Sequence, residues 1–167
     1  MGELGDGTQI ERTTPVQVLR ITDVDEVSVG LRHTLALKSD GSVWAWGYNS
    51  QGQLGDGTEV TRRFPKRVAG LNNVVAVSAG SEFNLALRAN GTVWAWGSNA
   101  AGQLGDGTTA SHLVPFQVPG LSDVVEVTAG ATTALVRQTD GTVWGWDRTS
   151  RARSAMAPRS SAGVRSR

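Results

Sequence analysis

Residues 77–108 read VSAGSEFNLALRANGTVWAWGSNAAGQLGDGT, and the same succession returns along the chain at a fixed interval. LGDGT stands at 4–8, 54–58 and 104–108, while VWAW, VWAW and VWGW stand at 43–46, 93–96 and 143–146. Both spacings are 50 residues, and Gly30, Gly80 and Gly130 keep the interval, as do Pro15, Pro65 and Pro115. Whole units have therefore been copied without insertion. A self-copying period of this length marks an array in which each unit buries its apolar face against the next copy.

Within one unit the pattern predicts four strands: Val74 to Ser78, Phe83 to Arg88, Thr92 to Gly97, and a shorter run around Phe116 to Val118. Asp40-Gly41, Asn90-Gly91 and Asp140-Gly141 fall between the second and third strands, where such dipeptides favour two-residue primed turns. Pairing across a two-residue turn sets Leu37 opposite Trp44 and Leu35 opposite Trp46, then Leu87 opposite Trp94 and Leu85 opposite Trp96, all on one face. Ala36 with Ala45, and Ala86 with Ala95, occupy the other. A sheet that is bulky on one side and small but apolar on the other has no wet side, so stacked copies bury both. On this reading the six tryptophans, Trp144 and Trp146 included, are core, and Trp94 fills an internal interface between units. The expected architecture is all-β, a radial array of four-stranded antiparallel blades of the β-propeller type, ahead of a meander in a sandwich.

Composition agrees with short strands and tight turns: 21 glycines, and six tryptophans among ten aromatics. Without cysteine there is no disulfide framework, thiolate metal site or cysteine nucleophile. No positively charged start precedes an apolar run, and no eighteen consecutive residues are apolar. The default compartment is therefore the cytoplasm, or the exterior if the chain belongs to a longer secreted protein. Residues 148–167 hold six arginines and no acid, whereas residues 1–147 carry ten basic against fifteen acidic residues, a net −5. A mildly acidic body argues against nucleic acid as its partner, and the basic end lacks aromatics for base stacking. The Ser/Ala/Arg-rich end at 148–167 is expected to be disordered and foreign to the repeat, as an out-of-frame read of a GC-rich gene would be.

The unit from Val77 to Thr108, with its glycines, paired tryptophans and LGDGT loop, closely resembles the repeat of the regulator of chromosome condensation family, particularly its bacterial members. The resemblance covers residues 1 to about 147 and implies a propeller, usually seven-bladed. It implies functions in guanine-nucleotide exchange on a small GTPase, in chromatin binding, or in surface-associated protein binding. Three departures stand out. His33 matches a family histidine, but Phe83 and Thr133 take its place in the other units. Arg137 stands where the two-residue pairing puts a residue opposite Trp144, and could lie over that indole. After Trp146 the expected GQLGDGT loop gives way to DRTSRARSAMAPRSSAGVRSR.

The units divide as a partial copy at 1–23, copies at 24–73 and 74–123, and a partial copy at 124–147. Twelve strands follow, three blades' worth: one at the start, two sets of four, and three at the end. An incomplete propeller, cut at both ends, is expected, with the lone first strand able to join the last three in a split blade. As an arc it exposes one Trp/Leu face and one Ala face, which predicts self-association.

Most tempting site residues have a plain explanation. Asp6, Asp56 and Asp106 precede glycine, where aspartate bonds its own backbone in a turn. His33 and His112 occupy unrelated places in the repeat and lack carboxylates at ligand spacing. A phosphate loop, a nucleophile elbow, a zinc-protease pair and a dinucleotide fingerprint are all missing from the sequence. Asn90-Gly91-Thr92 is a glycosylation sequon coincident with a hairpin turn. No catalytic, cofactor or metal residue is assigned. Residues that vary between copies carry the binding expectation: Thr8 to Thr14, Glu59 to Arg63, Thr108 to Leu113, and the loops 31–32, 81–82 and 131–132. Among them Arg32, Glu59, Arg62, Arg63, Glu82 and His112 form the candidate partner-binding rim. The expected function is a non-enzymatic scaffold that binds a protein partner through this rim. A nucleotide-exchange factor, or a structural repeat of a larger surface protein, is the alternative.

Overall fold

A computed structural model describes residues 2–147 of the chain, and no described residue is helical. Eleven strands run in order: β1 (Val24–Val29), β2 (His33–Lys38), β3 (Val43–Gly47), β4 (Arg62–Arg67), β5 (Val74–Ala79), β6 (Phe83–Arg88), β7 (Val93–Gly97), β8 (His112–Gln117), β9 (Val124–Ala129), β10 (Ala134–Gln138) and β11 (Val143–Trp146). They form antiparallel meanders β1-β2-β3-β4 and β5-β6-β7-β8 and a three-stranded sheet β11-β10-β9. The sheets converge at their first strands, β5 packing against both β1 and β9. The expectation for residues 148–167 lies outside the described residues.

The fourth strands, β4 and β8, start earlier in the unit than the run around Phe116 suggested. The lone first strand does not form: residues 12–17, the counterparts of β4, are not strand, and among the described residues nothing completes the third sheet. A fourth strand is held by the third strand of its own blade, and that partner precedes residues 12–17 in the repeat. The described strands thus number eleven, not twelve, with no split blade.

The hairpin register also differs from the expected one. Leu37 lies opposite Val43, Ala36 opposite Trp44, Leu35 opposite Ala45 and Thr34 opposite Trp46; the second unit repeats this at Leu87↔Val93, Ala86↔Trp94 and Leu85↔Ala95. The reason is the turn. Lys38 N–H donates to the Ser42 carbonyl at 3.0 Å and Gly41 N–H to the Lys38 carbonyl at 2.9 Å, enclosing a three-residue loop, 39–41. Gly41 has φ +74°, while Asp40 keeps a negative φ and its carboxylate accepts from the Ser42 N–H at 2.9 Å. A primed two-residue turn needs positive φ at both central positions; one glycine behind an ordinary turn gives the three-residue form instead. One extra residue moves every side chain of the strand to the opposite face.

The two faces are therefore Leu/Val/Ala on one side and Ala/Trp on the other. Leu35, Leu37, Val43 and Ala45 of the first sheet pack on Val77, Ala86 and Trp96 of the second. Leu85, Leu87, Val93 and Ala95 of the second pack on Val127, Ala134 and Val136 of the third, with Trp146 beside them. Large still meets small, but leucine meets alanine and tryptophan across the interface rather than tryptophan across the strand. Deep burial falls on the second tryptophan of the first two pairs, Trp96 being fully inaccessible and Trp46 nearly so, while Trp146 is half-buried. Trp44 and Trp94 are half-buried, with the Arg88 guanidinium 4.0 Å from the Trp94 ring. Trp144 is 47% exposed, which corrects its assignment to the core. Arg137 faces Val143, not Trp144, and its Nε donates to Glu126 at 2.8 Å.

Candidate interaction site on the loop-bearing face

Each blade sends two kinds of connection to opposite sides. The hairpin turns Asp40-Gly41, Asn90-Gly91 and Asp140-Gly141 lie on one side, against the links that lead into the next blade: Val74 N–H donates to the Gly41 carbonyl and Val124 N–H to the Gly91 carbonyl, both at 3.2 Å. The loops at 30–32, 80–82 and 130–132 lie on the other, beside the long connectors that leave β3 and β7.

Main-chain hydrogen bonds lock that second side together. Tyr48 N–H donates to the Arg32 carbonyl and Ser98 N–H to the Glu82 carbonyl, each at 2.8 Å. The approach requires glycine at the strand end: at Gly97, φ +103°, a Cβ would stand 2.5 Å from the Glu82 oxygen. Successive loops are also tied to each other, Leu31 N–H to the Ser81 carbonyl at 3.1 Å and Ser81 N–H to the Ala131 carbonyl at 3.4 Å. The variable dipeptides of three copies thus form one continuous row.

Behind the row lies a buried polar joint. The connector carbonyl of Gln53 accepts from Asn84 Nδ2 at 2.7 Å and from the Trp96 indole at 3.1 Å. With its amide nitrogen committed, Asn84 turns Oδ1 toward His33 Nε2, 2.6 Å away, so that nitrogen carries the proton. Burial of the imidazole holds His33 below its ordinary pKa, against the opposing pull of that hydrogen bond. The same connector carbonyl recurs at Glu3 for Trp46 and at Gln103 for Trp146, each 2.8 Å from the indole nitrogen.

The LGDGT aspartates hold the connectors. Asp56 Oδ1 accepts from the Thr58 N–H and hydroxyl at 3.1 and 2.6 Å, and Oδ2 from the Arg62 guanidinium at 2.7 Å. Asp6 repeats this with Thr8 and Arg12, and Asp106 with Thr108 and His112, whose Nε2 is 2.8 Å from Oδ2. Burial opposes ionisation of Asp106, but hydrogen bonds from Thr108, His112 and Asn99 prevail and bring its carboxyl down to about 2.

The six candidate rim residues consequently divide. Arg62 and His112 spend their polar heads on Asp56 and Asp106, and the His112 ring stacks 4.3 Å from Phe116. Arg32, Glu59 and Arg63 are exposed and Glu82 is half-buried. Arg32 stands 6.0 Å from the Tyr48 ring, with Leu31 beside it 66% exposed. Tyr48 escaped the sequence reading, although its replacement by Ser98 in the next copy is the signal that would have found it.

The family model described as the regulator of chromosome condensation (RCC1) repeat matches residues 40–87 and 90–136, and a second model of the same description matches 24–53 and 74–103. The chain belongs to the RCC1 repeat family. Human WBSCR16 has a similar solved structure, 25% identical with a TM-score of 0.75, covering 87% of this chain and 40% of its own. Prp20p of Saccharomyces cerevisiae, characterised with its binding properties to Gsp1p and histones, is 23% identical with a TM-score of 0.72, covering 87% of this chain and 39% of its own. Protein RCC1 of Candida albicans is 44% identical over 46 residues, 28% of this chain and 10% of the relative. The chain therefore has the RCC1-type propeller fold and spans only part of the length of these relatives.

Proposed function

We propose that the chain is a non-enzymatic protein-interaction module that reads a protein partner through its loop-bearing face. The observation that supports this is the division of labour between repeated and variable residues. Repeated groups are consumed by the scaffold: Asp56 by Thr58 and Arg62, Gln53 by Trp96 and Asn84, Gly97 by Glu82. The side chains of Arg32, Tyr48, Glu59, Arg63 and Glu82 vary between copies and stand outside those bonds, Arg63 near the start of β4 and the others on connecting loops. A rigid row of dissimilar side chains suits recognition, since little ordering entropy is lost on binding. The test is photo-crosslinking from Arg32 and, as control, from Gly141 on the opposite side. A partner captured from position 32 and not from 141 is expected; equal capture from both sides, or loss of a chemical turnover on substitution at Arg32, overturns the reading.

A second reading, nucleotide exchange on a small GTPase, is favoured by family membership and by the Gsp1p binding of Prp20p. Three copies of equal period leave no inserted element to act on a nucleotide site. Release of labelled GDP from candidate GTPases, with and without the chain, decides between the two.

A further inference from the structure

Asn90-Gly91 is the single asparagine–glycine step of the sequence, and it forms the tip of the second hairpin, on the side opposite the loop-bearing face. Asparagine is among the chemically labile side chains, and a following glycine, lacking Cβ, leaves the main-chain nitrogen unshielded beside the carboxamide. Asn49, Asn72, Asn73, Asn84 and Asn99 each precede a residue with a Cβ. Asn90 is exposed, so water reaches it.

The chemistry needs water alone. Once the Gly91 amide gives up its proton to water or hydroxide, its nitrogen bonds to Asn90 Cγ. The Cγ–Nδ2 bond breaks, and the side-chain nitrogen leaves as ammonia with a proton returned from water. Water then opens the five-membered imide. Addition at Cγ restores the main chain with aspartate at position 90; addition at the main-chain carbonyl carbon gives isoaspartate, whose backbone runs through one further carbon.

The closed hairpin obstructs the first step. Gly91 N–H is engaged by the Arg88 carbonyl at 2.9 Å, and Asn90 Oδ1 accepts from the Thr92 N–H and hydroxyl at 3.2 and 2.7 Å. Asn90 keeps a negative φ at the second central position of an ordinary turn, and ring closure requires the Asn90–Gly91 peptide plane to rotate out of it. The link into the third sheet holds the same plane, since Val124 N–H donates to the Gly91 carbonyl at 3.2 Å. Ala89 N–H, bound to the Asn73 carbonyl at 2.9 Å, fixes the other side of the loop.

The aspartyl product has a place prepared for it. In the third copy Asp140 accepts from the Thr142 N–H and hydroxyl at 2.9 and 2.7 Å, the bonds that Asn90 makes with Thr92. Isoaspartate has no such counterpart, because its extra carbon lengthens the loop whose span sets the register of β6 and β7.

We propose that Asn90 is a spontaneous deamidation site guarded by the closed hairpin, converting to an aspartyl turn that the fold accepts only after the loop parts from Arg88 and Val124. The negative charge gained records past openings of the joint between the second and third sheets. The site is separate from the loop-bearing face, so its failure leaves the proposed function untouched.

The full-length chain is held in mildly alkaline buffer, folded and in unfolding concentrations of urea. Peptide mapping that separates the asparaginyl, aspartyl and isoaspartyl forms follows residue 90. Conversion is expected to be at least about 10-fold slower in the folded chain, because it proceeds from the open fraction alone. The Asn90→Asp chain is expected to unfold at the urea midpoint of the parent, and the isolated isoaspartyl chain at a lower one. Equal rates in the folded and unfolded chains, an asparagine that persists at position 90 after unfolding, or an Asn90→Asp chain with a clearly lowered midpoint overturns the proposal.

Discussion

The Trp96 indole donates across the blade boundary to the main-chain carbonyl of Gln53, 3.1 Å away. That bond orients a fully buried ring against the sheet before it and fixes the connector that carries the variable loop. Gly55 makes room for it: a Cβ at that position would stand 2.8 Å from the same indole nitrogen.

Trp96→Ala should therefore cost about 3–5 kcal/mol, since it empties an internal interface. Trp94, which the expected register had put in this place, is half-buried and should cost less. Trp144→Ala should change stability by about 1 kcal/mol or less, the residue being 47% exposed at the end of the sheet stack. Urea unfolding of the three variants orders them; equal losses at 96 and 144 contradict the packing described.

His33 is held below its ordinary value, so the unfolded chain binds more protons than the native one in the acidic range. Stability from this group is present above about pH 6.5 and declines as pH falls below it. His33→Phe, which copies Phe83, should remove that slope between about pH 5 and 7. Chemical denaturation of both chains across this range provides the comparison, and an unchanged slope in the variant counts against a buried neutral imidazole.

Asp106 acts in the same sense at lower pH. Its folded pKa, about 2, lies below the ordinary 3.8, so its stabilisation is complete above the ordinary value and lost as pH falls through about 2. Asp106→Asn should abolish this part of the acid limb, and His112→Arg, which copies Arg62, should preserve it. Near-ultraviolet circular dichroism during acid titration follows the loss.

Gly91, at φ +76°, closes the second hairpin, and a Cβ there would lie 3.1 Å from the Asp123 backbone. Gly91→Ala should cost about 1 kcal/mol or more, and Gly91→Asn less, because asparagine tolerates the left-handed region better. Denaturation midpoints test the order; an alanine variant as stable as the parent rules out the three-residue loop.

The repeat, the all-β class, the approximate strand positions and the side of the molecule where copies differ were all legible in sequence, because each depends on local periodicity and on comparison of one copy with the next. Leu35, Leu37 and the VWAW runs alternate as strands must, and LGDGT reads as a turn wherever it occurs. The faces were not legible. Asp-Gly permits either a two- or a three-residue loop, and the choice fell to the negative φ of Asp40, held by its bond to Ser42 and completed by Gly41 alone. A single residue of shift then exchanged the partners of every leucine and tryptophan. Only the tertiary structure could decide which rim residues are free, since Arg62 and His112 vary in sequence like Arg32 yet are captured by Asp56 and Asp106 once the connector folds back. The row made by Leu31, Ser81 and Ala131 is tertiary too, because its hydrogen bonds join residues 50 positions apart that meet only when one blade packs against the next.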